Sequence, residues 1–111
     1  MGKTKSDHLL GSLDLLVLRV LSVEERLHGY AITERIQQAS ADALYVEEGS
    51  LYPALHRMDE AGWVNSEWGA SDNNRRARYY RITKTGRRRL TELELNWVKH
   101  VDAVKRVLKL A

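Results

Sequence analysis

Eight cations stand close together in the second half of the chain: Arg75, Arg76, Arg78, Arg81, Lys84, Arg87, Arg88 and Arg89, with no acid among them. Guanidinium groups at this density are suited to one kind of chemistry, the holding of a polyanion's oxygens. The acids collect elsewhere, at Asp42, Glu47, Glu48, Asp59, Glu60, Glu92 and Glu94, so the formal net charge is only +3. A local basic stripe on a nearly balanced chain is the electrostatic footprint of a nucleic-acid binder. A solvated basic face has the same composition, and charge alone does not choose between the two.

A second stretch bears on the choice. "EEGSLYPALHRMDEAGWV", Glu47 to Val64, reads as a short helix with Leu51, Leu55, Met58 and Gly62 along one stripe. The opposite face carries Ser50, Tyr52, Pro53, His56, Arg57 and Glu60 instead of the usual scatter of Lys and Glu. With Ser50 or Gly49 as the cap, Pro53 falls at or just past the first turn, where a missing N–H costs least. The open N–H groups and the helix dipole at that end favour an anion. Hydroxyl, aromatic and basic groups near the start of a helix are what a recognition helix offers to base edges and phosphates. Taken singly, each has an ordinary use: Ser50 as a cap, Tyr52 as packing, and Glu60 is unsuited to phosphate. The combination with "SDNNRRARYYR" carries more weight, because it places Arg75, Arg76 and Arg78 within four residues beside a polar turn. Such arginines can follow phosphates or enter a minor groove, or can guard an edge strand against aggregation.

Other chemistries find little support. His8, His28, His56 and His100 lack metal-ligand spacing, there is no cysteine, and no nucleophile stands beside a base. No glycine-rich phosphate loop is present. The composition points to no enzyme, no metal and no cofactor. The apolar run Leu9 to Val23 is broken by Asp14 and Arg19, is too short to span a bilayer, and is followed by a poor signal-cleavage sequence. The expectation is a buried helix in an unexported, cytoplasmic chain with no membrane association; the lack of cysteine suits a reducing compartment.

Hydrophobic period predicts the helices and strands on which these groups sit. Residues 1–8 are polar and expected to be loose. Ser12 can cap a first helix reaching about Val23, with Leu13, Leu16, Val17, Val20 and Leu21 on one face and Leu15 and Leu18 on the other. Apolar on two sides, this helix needs both its own core and a partner. "EERLHG" reads as a turn, Gly29 to Ala39 as a second helix with Ile32, Ile36 and Ala39 inward, and "SADALYV" as a linker. After the third helix the period changes: "WVNSEWG" and "RARYYRIT" are aromatic and β-branched at strand length, and "ASDNN" between them is made of turn formers. Thr83 can cap a long last helix striped by Leu90, Leu93, Trp97, Val101, Val104 and Leu108. The fold class is therefore mainly α with a small β-hairpin (α+β): a winged helix-turn-helix at 9–82, followed by a C-terminal dimerisation helix at 83–111.

The helix "EEGSLYPALHRMDEAGWV" followed by "RRARYYRITKTGRRRL", with "LDLLVLRVL" and "HGYAI" earlier in the chain, resembles the PadR family of transcriptional regulators across residues 9 to 108. The resemblance implies a homodimeric winged-helix repressor of operator DNA, in the short subfamily that ends in a single helix. By position it implies DNA contacts from Ser50, Tyr52, Pro53, His56 and Arg57 in the helix, and from Arg75, Arg76 and Arg78 in the wing. Tyr79 and Tyr80 match the family's paired aromatics, one of them packing the wing. The family often has glycine ahead of the wing arginines; here "DNN" stands there, and Asn also tolerates positive φ. Trp97 matches a tryptophan that in some short members lines a dimer cavity for flat hydrophobic compounds.

From these residues the expected partners are double-stranded DNA with an inverted-repeat operator, a second copy of the chain, and a planar hydrophobic effector. Leu13, Leu16, Leu93, Trp97, His100, Val101 and Val104 would form the dimer and effector surface. The rival is a winged-helix module whose basic stripe meets an acidic protein; fold alone does not decide between them.

Overall fold

The computed structural model describes residues 12–110. The polar opening 1–8 and residues 9–11 of the expected DNA-binding unit lie outside them. The order of elements is α1 (Leu13–Val23), β1 (Leu27–His28), α2 (Gly29–Ala39), α3 (Glu48–Glu60), β2 (Val64–Ala70), β3 (Arg76–Ile82) and α4 (Lys84–Leu108).

The core is where the apolar faces of the first three helices meet the sheet. Val17, Leu18 and Leu21 of α1, Ile32 and Ile36 of α2, and Leu51, Leu55 and Met58 of α3 are buried with Val64 and Tyr80. Leu18 thus belongs to the core and not to a separate outer side of α1; Leu13, Leu16 and Val20 are half-buried beside it. Ala39, expected inward, is exposed at the end of α2.

One element escaped the sequence pattern. "EERLHG" is not only a turn: Leu27 and His28 pair antiparallel with Tyr80 and Tyr79, so the hairpin is part of a three-stranded sheet in the order β1-β3-β2. A two-residue strand is too short to show a period of two, and only its partner reveals it. His28 then turns the chain into α2, its Nδ1 accepting from the Ala31 N–H at 3.2 Å.

The two ends of α3 fix how it meets the linker before it and the wing after it. Its first helical residue is Glu48, with Glu47 as N-cap, two or three residues earlier than the expected cap, Gly49 or Ser50. Pro53 therefore lies inside the helix and cannot donate to the Gly49 carbonyl. At the other end Gly62 takes φ +82°. Its N–H donates to the Asp59 carbonyl at 3.0 Å and the Trp63 N–H to the Met58 carbonyl at 2.9 Å, a Schellman closure that only a residue at ease with positive φ permits. Thr83 then ties the base of the wing to this corner. Its N–H donates to the Trp63 carbonyl at 3.0 Å, and its hydroxyl donates to the Gly62 carbonyl at 2.6 Å while accepting from the Gly86 N–H at 2.9 Å. The expected cap of α4 is thus also a clasp between α3 and α4.

Only the first part of α4 joins the core, with Gly86 and Leu90 buried and Leu93 half-buried against it. A helix of 25 residues is about 37 Å long, and the molecule measures 52 × 31 × 28 Å. Among the described residues no helix is long and apolar enough to cross a membrane.

Candidate nucleic-acid interface

α3 buries Leu51, Ala54, Leu55 and Met58, and this burial decides where the remaining side chains point. Pro53, His56 and Glu60 are exposed on the outward face, with His56 Nε2 3.7 Å from Glu60 Oε1. Tyr52 and Asp59 flank that face on the wing side, and Ser50 and Arg57 flank it on the α1 side.

The two flanks differ in kind. On the α1 side Arg57 grips Asp14 with both terminal nitrogens, at 2.8 and 2.9 Å. The hydrogen bond to Asp14 holds its guanidinium pKa above the ordinary arginine value, with burial acting against it. This arginine is occupied within the fold, whereas the sequence reading had it facing DNA. Ser50 is half-buried and is not the cap.

On the wing side lies a groove of about 970 Å³ bounded by the start of α2, by Tyr52 and by the inner face of the hairpin. Tyr52, Arg75, Arg76 and Arg78 all line it, so four of the eight expected DNA-contact residues meet there. Ser50, Pro53, His56 and Arg57 do not line it. The Tyr52 ring covers Gly29 at the first position of α2, and burial, helped by Glu48, raises its phenol pKa. His28, Gly29 and Tyr30 add the start of α2 to the groove wall, a contribution the sequence reading missed.

The wing is shaped by register. Trp68 stands opposite Arg78, Ala70 opposite Arg76, and Ser66 opposite Tyr80, so one face of the hairpin carries Ser66, Trp68, Arg76, Arg78 and Tyr80. Tyr80 is buried and packs the wing onto the helices; desolvation raises its pKa. Arg78 donates to the Ser66 hydroxyl at 3.0 and 2.7 Å, and that hydroxyl donates to Asp59 of α3 at 2.9 Å. The other face carries Tyr79, stacked by Arg26 at 4.2 Å from its centroid, and Glu67, held by Arg81 at 2.7 Å and Arg26 at 3.5 Å. At the tip the Asn74 N–H donates to the Ser71 carbonyl at 2.8 Å, and Asn74 takes φ 58°. Asparagine thus supplies the positive φ that this turn requires, and Arg75 and Arg76 come directly after it.

Trp68 was absent from the expected site. The signal was present: in a hairpin turning at residues 72–74, alternation places Trp68 on the same face as Arg76 and Arg78.

The expected dimer and effector residues form an open stripe along α1 and α4. Leu13, Leu16 and Leu93 are half-buried against the core, and Val101 is partly covered. Trp97 and Val104 are 44% and 40% exposed. The Trp97 and His100 rings lie side by side, their centroids 6.0 Å apart. Among the described residues no group of three His, Asp or Glu side chains is arranged to hold a metal ion.

Residues 17–92 match the transcriptional regulator PadR-like family. A PadR family transcriptional regulator from Eggerthella lenta superposes with a TM-score of 0.78 at 30% identity, over 95% of this chain and 88% of its own. A PadR-like transcriptional regulator from Bacillus cereus superposes with a TM-score of 0.76 at 28% identity, over 96% of this chain and all of its own. A transcriptional regulator from Mycobacterium tuberculosis is 38% identical over 71 residues, which cover 64% of this chain and 63% of that protein.

Proposed function

The chain belongs to the PadR-like family of transcriptional regulators, and from that premise we propose that it is a homodimeric repressor that holds duplex operator DNA between α3 and the wing. The observation that carries this reading is the groove in which Tyr52 and the start of α2 face Arg75, Arg76 and Arg78. Cations on one wall and a helix start on another suit a phosphate backbone. Residues 9–82 serve as the DNA-binding unit and 83–111 as the dimerisation helix, acting in the cytoplasm. Two-fold symmetry sets the two third helices about 34 Å apart, one turn of DNA, and requires an inverted-repeat operator. The exposed apolar stripe of α4 supports the dimer, and Trp97 within it supports a planar hydrophobic effector.

Affinity for duplex DNA measured across a salt series tests the proposal. A steep linear fall of log affinity with log salt is expected, together with a protected inverted repeat in footprints upstream of the protein's own gene. Binding that is absent at low salt, or indifferent to salt, overturns it.

A further inference from the structure

Trp68 is an exposed tryptophan on β2, an edge strand, with 53% of its surface open. A large aromatic on a free edge is an aggregation liability that folds usually avoid. Here two cations cover it. The guanidinium carbon of Arg76 lies over the ring at 4.4 Å from its centroid, and that of Arg78 lies at 5.5 Å. All three side chains line the groove assigned above to DNA. No acid pairs with Arg76 among the described residues, while Arg78 is further anchored by Ser66 and by Asp59 at 4.0 Å.

We infer that Trp68 is the positioning residue of the wing: its indole holds Arg76 and Arg78 in the groove, ready for phosphate, without itself making the contact. The inference rests on the proposed DNA reading of this groove. A free arginine loses much rotamer freedom when it closes on a phosphate, and one already stacked has lost that freedom beforehand. The indole face attracts a guanidinium more strongly than the other aromatic rings do. Stacking uses the flat face of the guanidinium and leaves the N–H edge of Arg76 for the ligand, while Arg78, two of whose nitrogens donate to Ser66, keeps its remaining N–H groups. The register makes the arrangement specific: Trp68 is directly opposite Arg78 and diagonal to Arg76, and both neighbours on its own strand, Gly69 and Glu67, face the other side. If the arginines were there merely to shield the indole, removing the ring would leave DNA affinity unchanged.

The test is a mutant cycle on the full chain with a short duplex of arbitrary sequence at low salt. Trp68→Ala should weaken binding roughly tenfold, Trp68→Phe should restore most of it, and both variants should show the wild-type helical circular dichroism. In an Arg76→Ala/Arg78→Ala background, Trp68→Ala should have no further effect. An equal loss in both backgrounds would mean that Trp68 contacts DNA itself and would overturn the inference, as would an unchanged affinity for Trp68→Ala. If Trp68→Ala lost the wild-type fold, Trp68→Phe and Trp68→Leu would decide: equal affinity for these two overturns the inference. Wild-type protein that fails to bind the duplex removes the DNA reading and this inference with it, an outcome distinct from wild-type binding with an additive cycle.

Discussion

Gly29 and Tyr52 fit closely at the first position of α2: a Cβ there would fall 2.7 and 2.8 Å from Cζ and Cε1 of the Tyr52 ring, and nearer still to its hydroxyl, so any side chain at this position requires the ring to move. The tyrosine is thereby held at the junction of α2, α3 and the wing. Gly29→Ala should displace it, at a cost of about 1 kcal/mol, the low end of overpacking, because the ring is half-exposed and can swing outward, and should weaken DNA binding without changing the helical content. Removing the ring should remove the conflict. In a denaturant cycle Tyr52→Ala should make Gly29→Ala nearly neutral for stability; additive losses would show that the packing is not the cause.

Arg57 and Asp14 give a second prediction. The pair is bidentate but Arg57 is 57% exposed, so solvent screening limits its contribution to about 1 kcal/mol or less. Arg57→Ala and Asp14→Ala should each lower Tm by a few degrees and leave the salt dependence of DNA binding as it is. A salt slope reduced by about one in Arg57→Ala alone would show that the arginine leaves Asp14 for a phosphate.

At the wing tip the expectation is the reverse. Arg75 and Arg76 come after the Asn74 turn and face the groove. Arg75→Ala/Arg76→Ala should weaken binding to all duplexes alike, with the salt slope reduced by about one for each lost phosphate contact, and should hardly alter stability. An unchanged slope would remove the wing from the contact surface.

What was legible in the sequence was whatever repeats along it. The apolar stripes of α2 (Ile32 and Ile36, though not Ala39) and of α3 (Leu51, Leu55 and Met58), the change of period after Gly62, and the Thr83 cap appeared in the structure where local pattern put them. What was illegible depends on partners far away in the chain. β1 exists because Tyr79 and Tyr80 pair with it, Arg57 is occupied because α1 brings Asp14 to it, and the start of α2 joins the groove because Tyr52 crosses to Gly29. The displaced start of α3 has a local cause: Ser50 and Leu51 both donate to the Glu47 carbonyl, so the helix begins ahead of the residue best suited to cap it.

Acid should loosen the outer face of the wing. The hydrogen bond from Arg81, then its charge, hold the Glu67 carboxyl below the ordinary carboxylate range, with Arg26 adding to the effect. A group whose folded pKa is depressed stabilises the fold above its unfolded pKa and loses that contribution as pH falls through the folded value. Glu67→Gln should therefore lower Tm slightly at neutral pH and reduce the further fall in Tm on going below the usual carboxylate range. The same fall in wild type and mutant would place the acid sensitivity elsewhere.

The last prediction concerns α4. Beyond Leu93 the helix leaves the core, yet Trp97, Val104 and Leu108 continue its stripe at 44%, 40% and 60% exposure, and Leu95 and Val98 stand open beside them at 59% and 56%. Apolar area at about 25 cal/mol per Å² is too large a term to leave in water along a whole helix, and a second α4 of the same shape can cover it. Val104 has no part in the monomer core, so Val104→Asp should leave the winged domain folded while light scattering shows a monomer, and DNA affinity should fall because one half-site replaces two. A wild-type chain that is monomeric at micromolar concentration would end the dimer proposal. If the dimer stands, two Trp97 rings beside His100 would flank its axis, and a flat hydrophobic ligand between them would alter the angle of the last helices and so the spacing of the two α3. A tenfold loss of DNA affinity requires about 1.4 kcal/mol of preference for one dimer shape, and stacking on aromatic pairs contributes about 1 kcal/mol each beyond burial. Titration with planar dyes should quench tryptophan emission in wild type and much less in Trp97→Ala, with Trp63 and Trp68 supplying the constant background. Equal quenching in both proteins would leave Trp97 as an interface residue and nothing more.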